Sequence, residues 1–165
     1  MADSPLTIKT QRILIAVEDS KYSEKAVRYG YHLANAFDGQ VALVHVIDPP
    51  TTSTYGAVDP IMGVNPVYIP EINEVQEDAS EELLNRLIAG WAGPSENITK
   101  FSKIGQPRQE ILTVANEWQA DLIVLGTHGR TGFDHFISGS VSEGVARRSV
   151  CPVIIVPYKD DDITE

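Results

Sequence analysis

At 165 residues, 42% apolar and 22% charged, the chain has the size and composition of one well-cored globular domain, too short for two ordinary ones and too apolar for a disordered chain. A formal charge of -10 argues against a nucleic-acid backbone or an anionic membrane surface as a general partner, so any anionic ligand must be held by local features. Cys151 stands alone, which excludes an internal disulfide. With no secretory leader at the N-terminus and no apolar run approaching ~18 residues, the expectation is a cytoplasmic protein without membrane insertion.

After a short polar leader, Arg12 to Val17 (RILIAV) is a brief apolar run bounded by Glu18-Asp19-Ser20, the pattern of a strand buried on both faces. Ala26, Val27, Gly30, Leu33, Ala34 and Phe37 then recur at helical spacing, with Asp19 or Ser20 as cap and Asp38-Gly39 as the stop. Gln40 to Ile47 (QVALVHVI) reads as a second buried strand. Residues 49–70 form a proline-rich insertion, long enough to fold over a crevice as a lid or to contact a partner. In it Tyr55 and Tyr68 are candidates for stacking on a base, although packing against the domain is the plainer reading. From Glu71 an amphipathic helix carries Ile72, Val75, Ala79, Leu83 and Leu87 inward, with Leu84 and Ile88 beside them.

Ile98 to Ile104 alternates like an edge strand, and Pro107 opens a helix whose inward residues are Ile111, Leu112, Ala115 and Trp118. The strand Asp121 to Leu125 then feeds a glycine-rich loop, a short helix from about Gly139 to Ser149, the strand Pro152 to Val156, and an acidic tail over 158–165. Strict alternation of valine-rich strands and helices predicts a three-layer, doubly wound, five-stranded parallel sheet with right-handed crossovers. In the order 3-2-1-4-5 the winding reverses between the first and fourth strands, and ligands of such sheets bind beyond the strand ends at that reversal. The loops there carry Glu18 to Ser20 and Gly126 to Gly139.

The glycine loop places Gly126 and Gly129 in G-x-x-G spacing, then nine residues, then Gly139-Ser140. It is neither a Walker A loop nor a Rossmann fingerprint, since neither G-K-[ST] nor G-x-G-x-x-G occurs. Glycines let backbone amides approach a phosphate, Gly139 with Ser140 and Ser142 presents amides and hydroxyls at a helix start, and Arg130 is the obvious cation. His128 is favoured as a ligand contact, whereas His32 and His135 read as surface residues and His45 as a satisfied core histidine. No histidine has metal-ligand spacing to cysteine or a second histidine. Glu18, Asp19 and Asp48 lie where a divalent cation on the phosphates could be positioned, but solvated loop ends and helix caps are commoner uses. No catalytic residue is assigned, because no nucleophile elbow occurs and no general base stands out beside the phosphates.

This spacing, with the opening ILIAVEDSKYSEKAV, the strand end LVHVID and the closing CPVIIVP, resembles the universal stress protein family in its ATP-binding branch. The resemblance runs from about Arg12 to Pro157. It implies an adenine nucleotide alpha hydrolase-like fold and an adenine nucleotide, ATP or else ADP or AMP, with Mg2+ or Mn2+ carried by its phosphates. It further implies that Ala16 and Val17 flank the nucleoside, that Val46 meets the adenine edge through its backbone, and that Leu125 and Gly126 lie under the nucleoside. Thr127, His128, Gly129 and Arg130 would wrap ribose and phosphates, with Ser140, Val141 and Ser142 donating to the phosphates. Homodimerisation through Pro152 to Pro157 is implied too. Where the family has aspartate followed by glycine after the first strand, this chain has Glu18-Asp19, which keeps the charge and adds a methylene. The function implied is a nucleotide-responsive stress or signalling regulator with a protein partner still to be named. The alternatives are a slow ATPase or nucleotidyl or phosphoryl transferase, and a dimeric interaction module without nucleotide.

Overall fold

A computed structural model describes residues 10–48, 70–90, 98–127 and 139–157. Tyr55, Tyr68 and the tail over 158–165 lie outside the described residues, as does all of the proline-rich insertion up to residue 69. In chain order the elements are β1 (Arg12–Val17), α1 (Lys21–Phe37), β2 (Gln40–Ile47), α2 (Pro70–Ala89), β3 (Ile98–Ile104), α3 (Pro107–Glu117), β4 (Leu122–Gly126), α4 (Ser140–Arg148) and β5 (Val153–Val156). The strands form one parallel sheet in the order β3-β2-β1-β4-β5, as the alternation predicts.

The central strands are apolar on both faces because both faces are covered. Ile13, Ile15, Val17, Val41, Leu43 and Val124 pack with Ala26, Val27 and Ala34 of α1 and Leu83, Leu84 and Leu87 of α2. Leu14, Ala16, Ala42, Val44, Ile123 and Leu125 pack on the other side with Ile111, Val114 and Ala115 of α3 and Val145 of α4. Each Val, Leu or Ile among them contributes about 1.5–3 kcal/mol when fully buried, so alternate residues of one strand stabilise two separate layers.

Helix α1 begins where the extended backbone of Ser20 lets its side chain accept from Ser23 N, and ends at Asp38, which adopts the left-handed conformation (φ 51°). At the opposite corner, Asp121 Oδ2 accepts from the backbone N–H groups of Gln11 and Arg12 at 3.1 and 3.0 Å. That leaves Asp121 just outside β4, which runs one residue further than expected, to Gly126.

Two inward faces differ from the sequence reading. Phe37 is 53% exposed, because the sheet-facing stripe of α1 ends at Ala34 just before the chain turns. In α2, Val75 (68% exposed) and Ala79 face outward, and the buried line is Ser80, Leu83, Leu84 and Leu87, an i, i+3, i+4, i+7 stripe whose first member is polar. Ser80 is 1% exposed and its hydroxyl lies 2.7 Å from His45 Nδ1 while accepting from Ser102 Oγ at 2.8 Å. The helix is thus rotated to satisfy a polar contact that hydrophobic counting does not register. Ser80→Ala is expected to lower stability by about 1–2 kcal/mol, since it removes two hydrogen bonds in a buried setting while exposed Ser102 regains water; urea unfolding of the two proteins measures this.

Candidate functional site

The site starts from an unfinished ladder. β1 pairs with β4 only through Ile13–Leu122, Leu14–Ile123 and Ile15–Val124, although both strands continue two residues beyond. β1 stays paired with β2 to Val17–His45, and β4 with β5 to Gly126–Val156. The seam between β1 and β4 therefore parts at its C-terminal end, with α1 and α2 on one face and α3 and α4 on the other. This is the winding reversal at which such sheets open a crevice.

The residues singled out by sequence divide around this opening. Ala16, Leu125 and half-buried Val46 and Val141 belong to the α3/α4-side cluster, and so offer apolar side chains on one side. Val17 belongs to the opposite cluster, so its side chain faces α1 and α2 and only its backbone borders the opening. Gly126 ends β4 and buried Thr127 follows it, and Thr127 O accepts from Gly139 N at 2.7 Å. That bond brings the two halves of the glycine motif together. His128, Gly129 and Arg130 lie outside the described residues.

Helix α4 has no conventional cap. Gly139, extended at φ -60° and ψ 152°, occupies the N-cap position and no side chain accepts there, although its carbonyl takes the first helical bond from Glu143 N at 3.0 Å. The amides of Ser140, Val141 and Ser142 consequently have no partner within the helix, and the dipole adds positive character to the same point. Ser140 is exposed. Ser142 is not: it is 3% exposed and its hydroxyl donates to Gly139 O at 2.8 Å, within its own turn. Glu143, the acidic residue of the first turn, is held by Arg147 at 2.8 Å.

Gly126 has a structural reason of its own. A Cβ placed there would stand 3.0 Å from Tyr22 Cβ and 3.2 Å from Tyr22 O, so a side chain at 126 would require α1 to give by a few tenths of an ångström at the end of β4. Glu18 is half-buried, and the loop after β1 is stitched to the start of α1. Its N–H donates to Ser23 Oγ at 2.7 Å and its carboxylate accepts from Ser20 Oγ at 3.1 Å. Its neighbour Asp19 contacts Arg86 at 2.5 Å, an exposed pair of small energetic weight. Among the described residues no three His, Cys, Asp or Glu side chains converge as a metal site.

A family model described as "Universal stress protein family" matches residues 9–157. The chain belongs to the universal stress protein family. A protein of Staphylococcus aureus (strain USA300) named for that family is 35% identical over 152 residues, covering 90% of this chain and 85% of its own. The solved structure of universal stress protein UspA from Lactobacillus plantarum superposes with a TM-score of 0.71 at 22% identity, covering 90% of this chain and 98% of that one. A universal stress protein crystallised in complex with cAMP superposes with a TM-score of 0.58 at 24% identity, covering 88% and 96%. These likenesses confirm the adenine nucleotide alpha hydrolase-like fold expected from the resemblance. No helix among the described residues is long and apolar enough to cross a membrane.

Apolar spacing and motif matching in the sequence do not single out Arg108. Arg108, at the start of α3, packs against Gly144 of α4. The available signal was Gly144 itself, since a glycine inside a nine-residue helix points to a close neighbour.

Proposed function

We propose that this universal stress protein binds ATP, or ADP or AMP, in the crevice between β1 and β4, and acts as a cytoplasmic regulator whose conformation or choice of protein partner follows the nucleotide. The observation that carries this reading is the uncapped N-terminus of α4, joined to the end of β4 by the Thr127–Gly139 bond. Three orphan amides and a helix dipole at the mouth of an open seam suit a phosphate. Ala16, Leu125, Val46 and Val141 offer the apolar side chains that a nucleoside needs nearby. The motif adds His128, Gly129 and Arg130 for ribose and phosphates. The cAMP complex of a structural relative supports an adenine nucleotide as the class.

Mg2+ or Mn2+ enters with the phosphates rather than through a dedicated cage of carboxylates. Binding, not turnover, is the proposed activity, and two copies pair through Pro152 to Pro157. Calorimetry with ATP and magnesium, together with chromatography of whatever the denatured protein releases, tests the reading. Saturable heat or a released adenine nucleotide supports it. No heat and no nucleotide would sink it, and conversion of ATP over hours would move the assignment to a slow ATPase.

A further inference from the structure

Arg108 makes no ion pair among the described residues. It is the second residue of α3, and its side chain lies across Gly144 of α4 so closely that a Cβ at 144 would collide with Arg108 Cδ and stand 3.4 Å from Nη1. Its Nε is buried with no hydrogen-bond partner, and none of the ion pairs among the described residues includes it. An N–H donor left in that condition is costly unless something arrives to accept from it.

Gly144 follows Ser140 by four positions and Val141 by three, so it lies on their face of α4, about 5.4 Å further along the axis. The arginine therefore packs on α4 at a residue one helical turn past Ser140, on the side of the sheet that carries Ala16, Leu125 and Val141. Those amides suffice for one phosphate. A second and third phosphate bring more negative charge than one helix start neutralises, and a planar guanidinium can take two phosphate oxygens at once.

We propose that Arg108 reads the length of the phosphate chain, so that the site selects nucleoside di- and triphosphates over monophosphates and cyclic monophosphates. This rests on the nucleotide reading of the same site. Calorimetric titration of wild type, Arg108→Gln and Arg108→Lys with ATP, ADP and AMP tests it. Arg108→Gln should weaken ATP and ADP about tenfold or more while leaving AMP within about twofold, and Arg108→Lys should recover part of the loss. Gly144→Ala, which displaces the flexible arginine rather than the backbone, should change the ATP-to-AMP preference in wild type and leave it unchanged in the Arg108→Gln background. Equal weakening of ATP and AMP, or no change in either, overturns the role of Arg108 while the nucleotide site stands. A wild type that binds none of the three overturns both.

Discussion

Ser140→Pro is expected to weaken adenine-nucleotide binding by about 10- to 100-fold and to leave the fold and its melting temperature nearly unchanged. Ser140 is the first residue of α4, the one helical position at which proline is well tolerated, because its N–H has no partner in the helix anyway. Proline also restricts the residue before it to extended backbone, and Gly139 is already there at ψ 152°. Ser140 is exposed, so no packing is lost. The substitution thus deletes one amide from the proposed phosphate cradle and little else, and a charge-assisted hydrogen bond of that kind is worth about 1.5–3 kcal/mol. Ser140→Ala serves as the comparison, since it removes the hydroxyl and keeps the amide. Calorimetry with ATP should place Ser140→Ala near wild type and Ser140→Pro far below it. Equal affinities for the two variants would show that the start of α4 does not hold the phosphates.

The layered fold was legible because its strands announce themselves on both faces. Ile13 to Val17 and Val41 to Val44 are buried without interruption, and only a sheet covered on both sides makes such runs favourable. The reversal between β1 and β4 followed from connectivity, and with it the meeting of Gly126 and Gly139. What stayed hidden depended on rotations and reaches that apolar spacing does not encode. Ser80 faces inward because His45 and Ser102 offer it partners across α2, β2 and β3, a match between residues far apart in sequence. Ser142 carries a hydroxyl in the first turn of α4, yet the side chain is buried and donates to Gly139 O within that turn. Gly126 was legible as a glycine that something must approach; that Tyr22 approaches it from within the fold required the packing of α1 against β4.

Val153→Pro is expected to turn the proposed homodimer into a monomer with an unchanged far-ultraviolet spectrum. Ile123 N–H donates to Pro152 O at 3.0 Å and Thr127 N–H to Val156 O at 3.2 Å. Backbone polar groups of successive strand residues turn to alternate sides, so Pro152, Ile154 and Val156 face β4 while Val153 and Ile155 turn theirs to the open edge. The two edges of the sheet differ in kind. β3 carries Lys100 and Lys103, paired with Glu81 and Glu117, and such charges discourage edge-to-edge pairing. β5 is Val-Ile-Ile-Val, with no charged residue within the strand, and Val150 before it is 91% exposed. Proline at 153 sits at the first residue of an edge strand, where it is tolerated, and removes an outward N–H without touching the ladder to β4. Two-fold symmetry doubles the loss, and two missing bonds with their stranded acceptors weaken association by about 100-fold or more. Val153→Ala retains the N–H and should remain dimeric. Light scattering coupled to size exclusion at micromolar protein separates the outcomes; a Val153→Pro protein that still elutes as a dimer would place the interface elsewhere than on β5.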